Sequence, residues 1–454
     1  MVGLSESSGP TSARRRVFEP SGYFTAMVLG VAFSGFLMLP QVARGDDAVR
    51  VVMLRQLASG IKPDTKYSFI QPVVSTPVFW VLDRLHFGAF AVTLIPMLWL
   101  AMWCVAMWSV LSVERSKAFA HHAIVLAVVS LLGAYLVGFG SDVFAALGIS
   151  AGVVCGLLAR RLGWRIVAWT VLLITAANTP VMVAAVGVIA LWLSASTRRL
   201  RYLLLPVGVF GLMVLESTLV TGSLSWTRYT RAIEQGNMQL LPWGEMSGFG
   251  WPLWSGVVAV LFSFGRGLIF FIPQLWNGPM RGSDALARAD RSLWCATLAL
   301  VPLYGMWWAW YGGVTFGPRF FLLAVVPAAM AGASVVCDAG LSPLRTVVCA
   351  TATLASLWVA FAGAVFHVTT TAFDTCVSGG GFQNEALCLY TPEYSGLWAP
   401  LWAADPIGLR AAVFAVAIII LVAPTLFVLG SSLRPAGVRA LRLARLHLGG
   451  KWSL

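Results

Sequence analysis

Long apolar runs alternate with short polar clusters along almost the whole chain. Stretches of roughly 20 apolar residues recur from end to end, the length an α-helix needs to cross the hydrocarbon core of a bilayer. Inside lipid a backbone must satisfy its own hydrogen bonds, so the pattern predicts an all-α integral membrane protein, a polytopic bundle of helices. Arginine clusters punctuate the runs: Arg14 to Arg16; Arg160, Arg161 and Arg165; Arg198, Arg199 and Arg201; and the tail from Arg434 to Lys451. Clusters of that kind mark the cytoplasmic ends of spans.

Threading the runs between these marks predicts spans over 22–42, 88–112, 123–139, 143–159, 202–220, 267–280, 293–310, 320–337, 346–367 and 410–430. Residues 166–194 have basic clusters at both ends and so must cross an even number of times, as two short helices broken at Asn178-Thr179-Pro180. Such a break is tolerated only where protein or a water-filled cavity covers the opened backbone. The total is about twelve transmembrane helices with both ends cytoplasmic. The segment 45–85 is helical in character yet too polar to cross, and 251–264 reads as a re-entrant or interfacial helix. The expected organisation is a cytoplasmic tail (1–21), a transmembrane catalytic domain (22–430) with external loops 43–87, 221–266, 311–319 and 368–409, and a basic cytoplasmic tail (431–454). No internal repeat is evident, which weighs against a transporter built from repeats.

Composition sharpens this picture. Charged residues make up 11% of the chain, against about 25% in a soluble protein, and the mean hydropathy is +0.82. The 20 Trp and 26 Phe suit interfacial belts. The N-terminal stretch is polar and lacks a clear cleavage site, so no cleavable signal peptide is expected. A net charge of +13 would suit nucleic acid, but the cations lie at span ends without any base-reading element, and that partner is excluded. The expected location is the plasma membrane, with membrane lipid as a standing partner.

Against that background the acidic residues stand out. There are only 18 in 454, and two of them, Asp46 and Asp47, follow the first apolar run directly. By the threading, three segments emerge on the same external face: Asp46-Asp47 with the downstream Lys62 to Ser68, Gly265-Arg266-Gly267, and Trp310 to Phe320. Carboxylates, isolated cations and glycine-rich backbone on one face suit a phosphate-bearing lipid substrate and a general base. Arg319 and Arg266, with Lys66 and Tyr67, are the candidate contacts to the phosphate of a lipid-linked sugar, where they would stabilise charge as the glycosidic bond breaks. Asp46 or Asp47 would deprotonate the acceptor hydroxyl, Asp46 being favoured as the nearer to the membrane exit. Both could instead cap the helix that follows. Asp142 would cap span 143–159 or line the same cavity. Glu216, deep in a span, would either line the cavity or pair with a neighbouring polar group. His121 and His122 fall on the cytoplasmic side. Cys376 and Cys388 share one polar loop, where a disulfide is plausible on an oxidising face. No Cys/His spacing resembles a zinc site and no metal cage or cofactor is expected, although a divalent ion bridging phosphate and the Asp pair fits the chemistry.

These segments resemble the type C (GT-C) glycosyltransferase fold, a superfamily of polytopic enzymes that use polyprenyl-phosphate sugars on the external membrane face. The similar stretches are Tyr67-Ser68 through Ser75-Thr76-Pro77, Gly265-Arg266-Gly267-Leu268 with Pro273, and above all Trp310-Tyr311-Gly312-Gly313 followed by Gly317-Pro318-Arg319-Phe320. The resemblance implies an acidic base in the first external loop, matching Asp46 or Asp47, and a phosphate-facing arginine, matching Arg319. It further implies a polyprenyl-phosphate sugar donor and a glycan, glycolipid or protein acceptor. No large external C-terminal domain is evident, so acceptor binding is expected to rest on loops. The richness in Ala, Gly, Arg and Trp resembles a high-GC bacterium such as an actinobacterium, for which mannose or arabinose would be natural donor sugars. Two rivals accompany this reading: a transporter or flippase for a lipid-linked precursor, and a ligase that moves whole glycans from a lipid pyrophosphate.

Overall fold

The computed structural model describes residues 20–39, 46–63, 65, 67–136, 138–222, 224, 249–307, 309–313, 315–338, 342–366, 385–401 and 407–449, and every regular element among them is helical. In chain order these are α1 (Gly22–Met38), α2 (Asp46–Ala58), α3 (Ile70–Arg84), α4 (Ala91–Glu114), α5 (Lys117–Val128), α6 (Leu131–Ala134), α7 (Ser141–Leu158), α8 (Leu162–Ala177), α9 (Met182–Thr197), α10 (Leu204–Thr221), α11 (Leu253–Phe262), α12 (Leu268–Phe271), α13 (Ala285–Gly305), α14 (Val325–Cys337), α15 (Pro343–Phe366), α16 (Glu385–Tyr390) and α17 (Leu409–Gly449). Six of the described helices are long and apolar enough to cross a membrane: α4, α7, α10 and α14 (each of the last two with its preceding 3-10 turn), α15 and α17. The chain is thus a multi-pass helical membrane protein; of the expected count of about twelve spans, six are matched by helices of that length among the described residues.

Burial sorts these helices into centre and rim. The most apolar stretch of α7 is 89% buried, whereas that of the 200–221 helix is 22% buried, so α7 runs through the middle and α10 faces lipid. Glycines set how closely α7 packs against α8. Gly148, Gly152 and Gly156 line one face of α7, and a Cβ on any of them would run into Thr175, Leu172 or Trp169 of α8. Small residues at four-residue spacing let two membrane helices approach to backbone contact. Around this pair α5 packs along α14, α13 along α9, and α17 along both α1 and α15.

Where the structure departs from the threading, single residues explain it. The run 123–139 is not one helix: α5 begins earlier, at Lys117, and ends at Val128. There the Ser130 hydroxyl donates back to Ala127 O at 2.5 Å and accepts from Leu132 N at 3.2 Å, closing one helix and opening the next. The run 267–280 is no continuous span either. It is α12 followed by a 3-10 turn, Pro273–Asn277, because Pro273 cannot donate the helical hydrogen bond its position requires. His121 and His122 lie in α5, wholly buried, the first bonded to Thr25 and the second to Thr425, each at 2.9 Å.

The break at Asn178 forms as expected, between α8 and α9. It is covered by protein: Asn178 is buried and its Oδ1 accepts from the backbone N–H of Gln71, at the start of α3, at 3.1 Å. The polar segment that carries α2 and α3 therefore docks onto the interrupted helices. Two more bonds fix it to the end of α10, Lys62 Nζ to Val220 O at 2.6 Å and Phe69 N to Glu216 Oε1 at 2.9 Å.

Candidate active site

The three glycine- and charge-bearing segments meet at one end of the bundle. Asp46 and Asp47 form the first turn of α2, at the positive end of its dipole. Asp46 is held from two sides: its Oδ2 accepts from Arg319 Nη2 at 2.7 Å, and its Oδ1 accepts from the Tyr67 hydroxyl at 2.5 Å. Asp47 points toward the turn before α7, both its carboxylate oxygens lying 3.8 Å from where a Cβ on Gly140 would stand. Asp142, in the first turn of α7, approaches the other side of Arg319, with 3.9 Å between its Oδ2 and Arg319 Nε.

Arg319 arrives on a loop whose shape needs glycine. Gly312, Gly313 and Gly317 have φ of +81°, +76° and +63°, the left-handed region that side-chain-bearing residues avoid. A Cβ on Gly312 would also come within 2.9 Å of Arg319 Cγ. Arg266 secures the same loop from behind. Buried at 4% exposure, it donates through Nε to Tyr311 O at 3.0 Å, through Nη2 to Gly313 O at 3.1 Å and through Nη1 to Gly265 O at 3.2 Å. The Tyr135 hydroxyl adds a further bond, to Phe316 O. The guanidinium expected at the phosphate therefore braces the backbone that carries Arg319.

The two aspartates sit in different electrostatic settings. Burial acts to raise the pKa of Asp46, but Arg319, the Tyr67 hydrogen bond and Arg50 outweigh it, and the carboxyl is held below its ordinary value. At Asp47 burial wins instead. There the negative charges of Asp142 and Asp46 reinforce it against Arg319 and Arg50, so the pKa rises to about 6. Adjacent residues of the same type thus divide into a fixed anion and a group that exchanges protons near neutrality.

One member of the cluster had drawn no attention in the sequence. Arg50 is 4% exposed, donates to Gln71 Oε1 at 3.2 Å and lies 5.1 Å from the Tyr67 ring centroid. Its only sequence signal is the four-residue spacing from Asp46, which puts both on one face of α2. The buried Nε atoms of Arg50 and Arg319 make no hydrogen bond. Orphaned cationic donors beside paired carboxylates suit an anionic ligand.

Other expected residues fall elsewhere. Glu216 accepts from Phe69 N and so anchors the entry to α3. Lys66 lies outside the described residues. So does Cys376, while Cys388 is buried and disulfide-bonded. Among the described residues no group of three His, Cys, Asp or Glu side chains is arranged to hold a metal ion. Two cavities, of about 720 and 820 Å³, are lined by residues other than those of this cluster.

No family model matches the sequence, and no curated protein matches it. Among solved structures the chain is similar to ArnT from Cupriavidus metallidurans bound to undecaprenyl phosphate, at 15% identity and a TM-score of 0.45, over 91% of this chain and 78% of that one. The apo state of the same protein gives 16% identity and a TM-score of 0.44, over 90% and 76%.

Proposed function

We propose that the protein is a membrane glycosyltransferase that moves one sugar from a polyprenyl-phosphate donor to a hydroxyl of an external envelope acceptor. Asp47 takes the proton from the acceptor hydroxyl as its oxygen attacks the anomeric carbon. The bond from that carbon to the phosphate oxygen breaks, and the polyprenyl phosphate leaves as an anion facing Arg319. Attack opposite the leaving group inverts the anomeric carbon. Mannose and arabinose head the panel of donor sugars.

The observation that carries this reading is Arg319 set between Asp46 and Asp142, with Asp47 beside it at a pKa of about 6. A general base works best when its pKa lies near the working pH, and that favours Asp47 over Asp46 for the proton. Asp46 has another task. It aligns Arg319 through a charge-assisted bond and, once the donor phosphate arrives, shares the guanidinium with it. Arg266 is a positioning residue, since its donors go to the loop backbone. No step is assigned to a metal ion. The transporter reading drew most on Glu216, which here accepts a backbone N–H at the entry to α3.

The test is sugar transfer by purified protein, supplied with a panel of polyprenyl-phosphate sugars and an envelope extract as acceptor. Transfer from one donor, lost in Asp47→Asn and Arg319→Ala, supports the assignment. A well-folded wild type that consumes no donor on the panel would overturn it in favour of transport.

A further inference from the structure

At the opposite end of the bundle, four arginines from three separate segments surround the cavity of about 720 Å³. Arg165 comes from the first turns of α8, Arg199 and Arg201 from the turn after α9, and Arg288 from α13. No Asp or Glu is among the residues that line it. The two acids nearest Arg288 along the chain are engaged elsewhere: Asp284 pairs with Arg115 at 2.6 Å and caps α13 by accepting from Ala287 N at 2.7 Å, and Asp290 accepts from Met280 N at 2.7 Å.

A positive-inside signal accounts for arginines near the membrane surface, but it has no need for four of them to line one cavity. Arg199 and Arg201 are exposed and Arg165 and Arg288 half-buried, and like charges gathered on one cavity repel unless an anion sits among them. Two of the four are also fixed in place by backbone carbonyls: Arg165 Nε donates to Ala159 O and Arg288 Nη1 to Ser283 O, both at 2.6 Å. The Arg201 guanidinium lies 5.4 Å from the Tyr202 ring centroid, and that ring meets Trp169 edge-on at 5.9 Å, giving the cavity a rigid aromatic wall.

The rest of the lining is apolar. Leu162, Ile166 and Leu204 border the cavity and are 71%, 57% and 69% exposed, so its mouth opens sideways onto the lipid-facing surface. A cavity lined both by four guanidinium-bearing side chains and by exposed aliphatic ones matches an amphipathic anion. We infer that this cavity binds an anionic glycerophospholipid of the leaflet that faces the basic loops, its phosphate among Arg165, Arg199, Arg201 and Arg288 and its acyl chains along Leu162, Ile166 and Leu204. Basic pockets between membrane helices on that side are suited to such headgroups. The site lies at the other end of the bundle from Asp46 and Arg319, and it stands whether or not the protein transfers sugar.

The experiment is native mass spectrometry of the delipidated full chain titrated with phosphatidylglycerol, with phosphatidylcholine and with inorganic phosphate. One phosphatidylglycerol should be retained in clear preference to phosphatidylcholine. The double variant R199Q/R201Q should weaken that retention about 25-fold, on the basis of about a factor of five for each arginine at a membrane surface. R199K/R201K, which keeps the charges, should recover most of it and guards against misfolding of the neutral pair. R160Q/R161Q removes two charges beside the neighbouring cavity, where Glu114 shares the lining, and should alter retention by no more than about 2-fold. Equal retention of the two lipids, or an equal loss in R160Q/R161Q, would overturn the site. Inorganic phosphate that displaces phosphatidylglycerol at comparable concentration would overturn the lipid assignment in favour of a soluble anion.

Discussion

The two ends of the bundle use arginine in opposite ways. At the aspartate-bearing end Arg319 is flanked by Asp46 and Asp142, and Arg266 is bonded to carbonyls of the loop that carries Arg319. At the basic end four arginines share one cavity with no acidic residue in its lining. A guanidinium flanked by carboxylates can be handed to a transient anion and taken back, which suits a leaving group in a reaction cycle. Guanidiniums without carboxylates gain from an anion that stays. The difference between turnover and residence thus lies in which partners the arginines keep.

The sharpest way to break this comparison is to neutralise Asp47. As the base, Asp47→Asn should cost roughly 10²- to 10⁴-fold in transfer rate with little change in donor affinity. Its effect on stability should run the other way. Asp47 has its pKa raised to about 6, from 3.8, so between those values the folded state holds a proton that the unfolded state has released. Stability is lost as the pH rises through that window, and the charged form weighs against the fold at neutral pH. The Asn variant should therefore unfold no earlier than wild type in a thermal melt at pH 7. A role as helix cap alone predicts a protein of nearly unchanged stability that still transfers sugar, because asparagine caps about as well as aspartate. The same pKa sets the pH profile: kcat/KM should fall as the pH drops through about 6, whereas a base held like Asp46 would keep working to lower pH.

Next in size is Arg319→Ala, with an expected loss of about 10²- to 10³-fold, the usual cost of removing one preorganised donor to a developing anion. Arg319→Lys should restore only part of it, because an ammonium cannot reproduce the fork that meets Asp46 and a phosphate together. Full activity in the lysine variant would reduce Arg319 to a point charge. Arg266→Gln comes third. Breaking its bonds to Tyr311 and Gly313 should lower stability by about 1–3 kcal/mol, read as an earlier unfolding midpoint, with donor KM nearly unchanged in the folded fraction. A large rise in KM with unchanged stability would return Arg266 to the phosphate.

Much of this was legible in the sequence because lipid leaves few choices. Apolar runs of spanning length gave the helical class and most of the long helices, and the Asn178-Thr179-Pro180 break fell where it was read. The Gly-rich stretch ending at Arg319 and the aspartate pair were visible as rare charges beside flexible backbone, and they do meet. What stayed hidden depends on partners far along the chain. Arg266 reads as a free cation until the carbonyls of Tyr311 and Gly313, 45 and 47 residues on, are seen to take its donors. Arg50 looks like an ordinary surface residue of a polar helix, and only the packing of α2 against α3 buries it. The end of α5 turned on one hydroxyl, Ser130, in a run otherwise apolar enough to pass for a single span.

Glu216 offers the smallest effect and a clean choice between rival readings. It belongs to an apolar helix, where a carboxylate is costly and invites a transport role. Yet its Oε1 accepts the N–H of Phe69 at 2.9 Å, just ahead of α3, and Lys62 bonds the same helix end through Val220 O. An acceptor is what that position needs, and glutamine provides one. Glu216→Gln should therefore shift stability by no more than about 0.5 kcal/mol and leave sugar transfer intact, while Glu216→Ala should cost about 1–2 kcal/mol by stranding the N–H. A transport step that moved charge or protons through Glu216 would behave differently, failing in the glutamine variant as completely as in the alanine one. Measured side by side, the two substitutions separate a carboxylate kept for its oxygen from one kept for its charge.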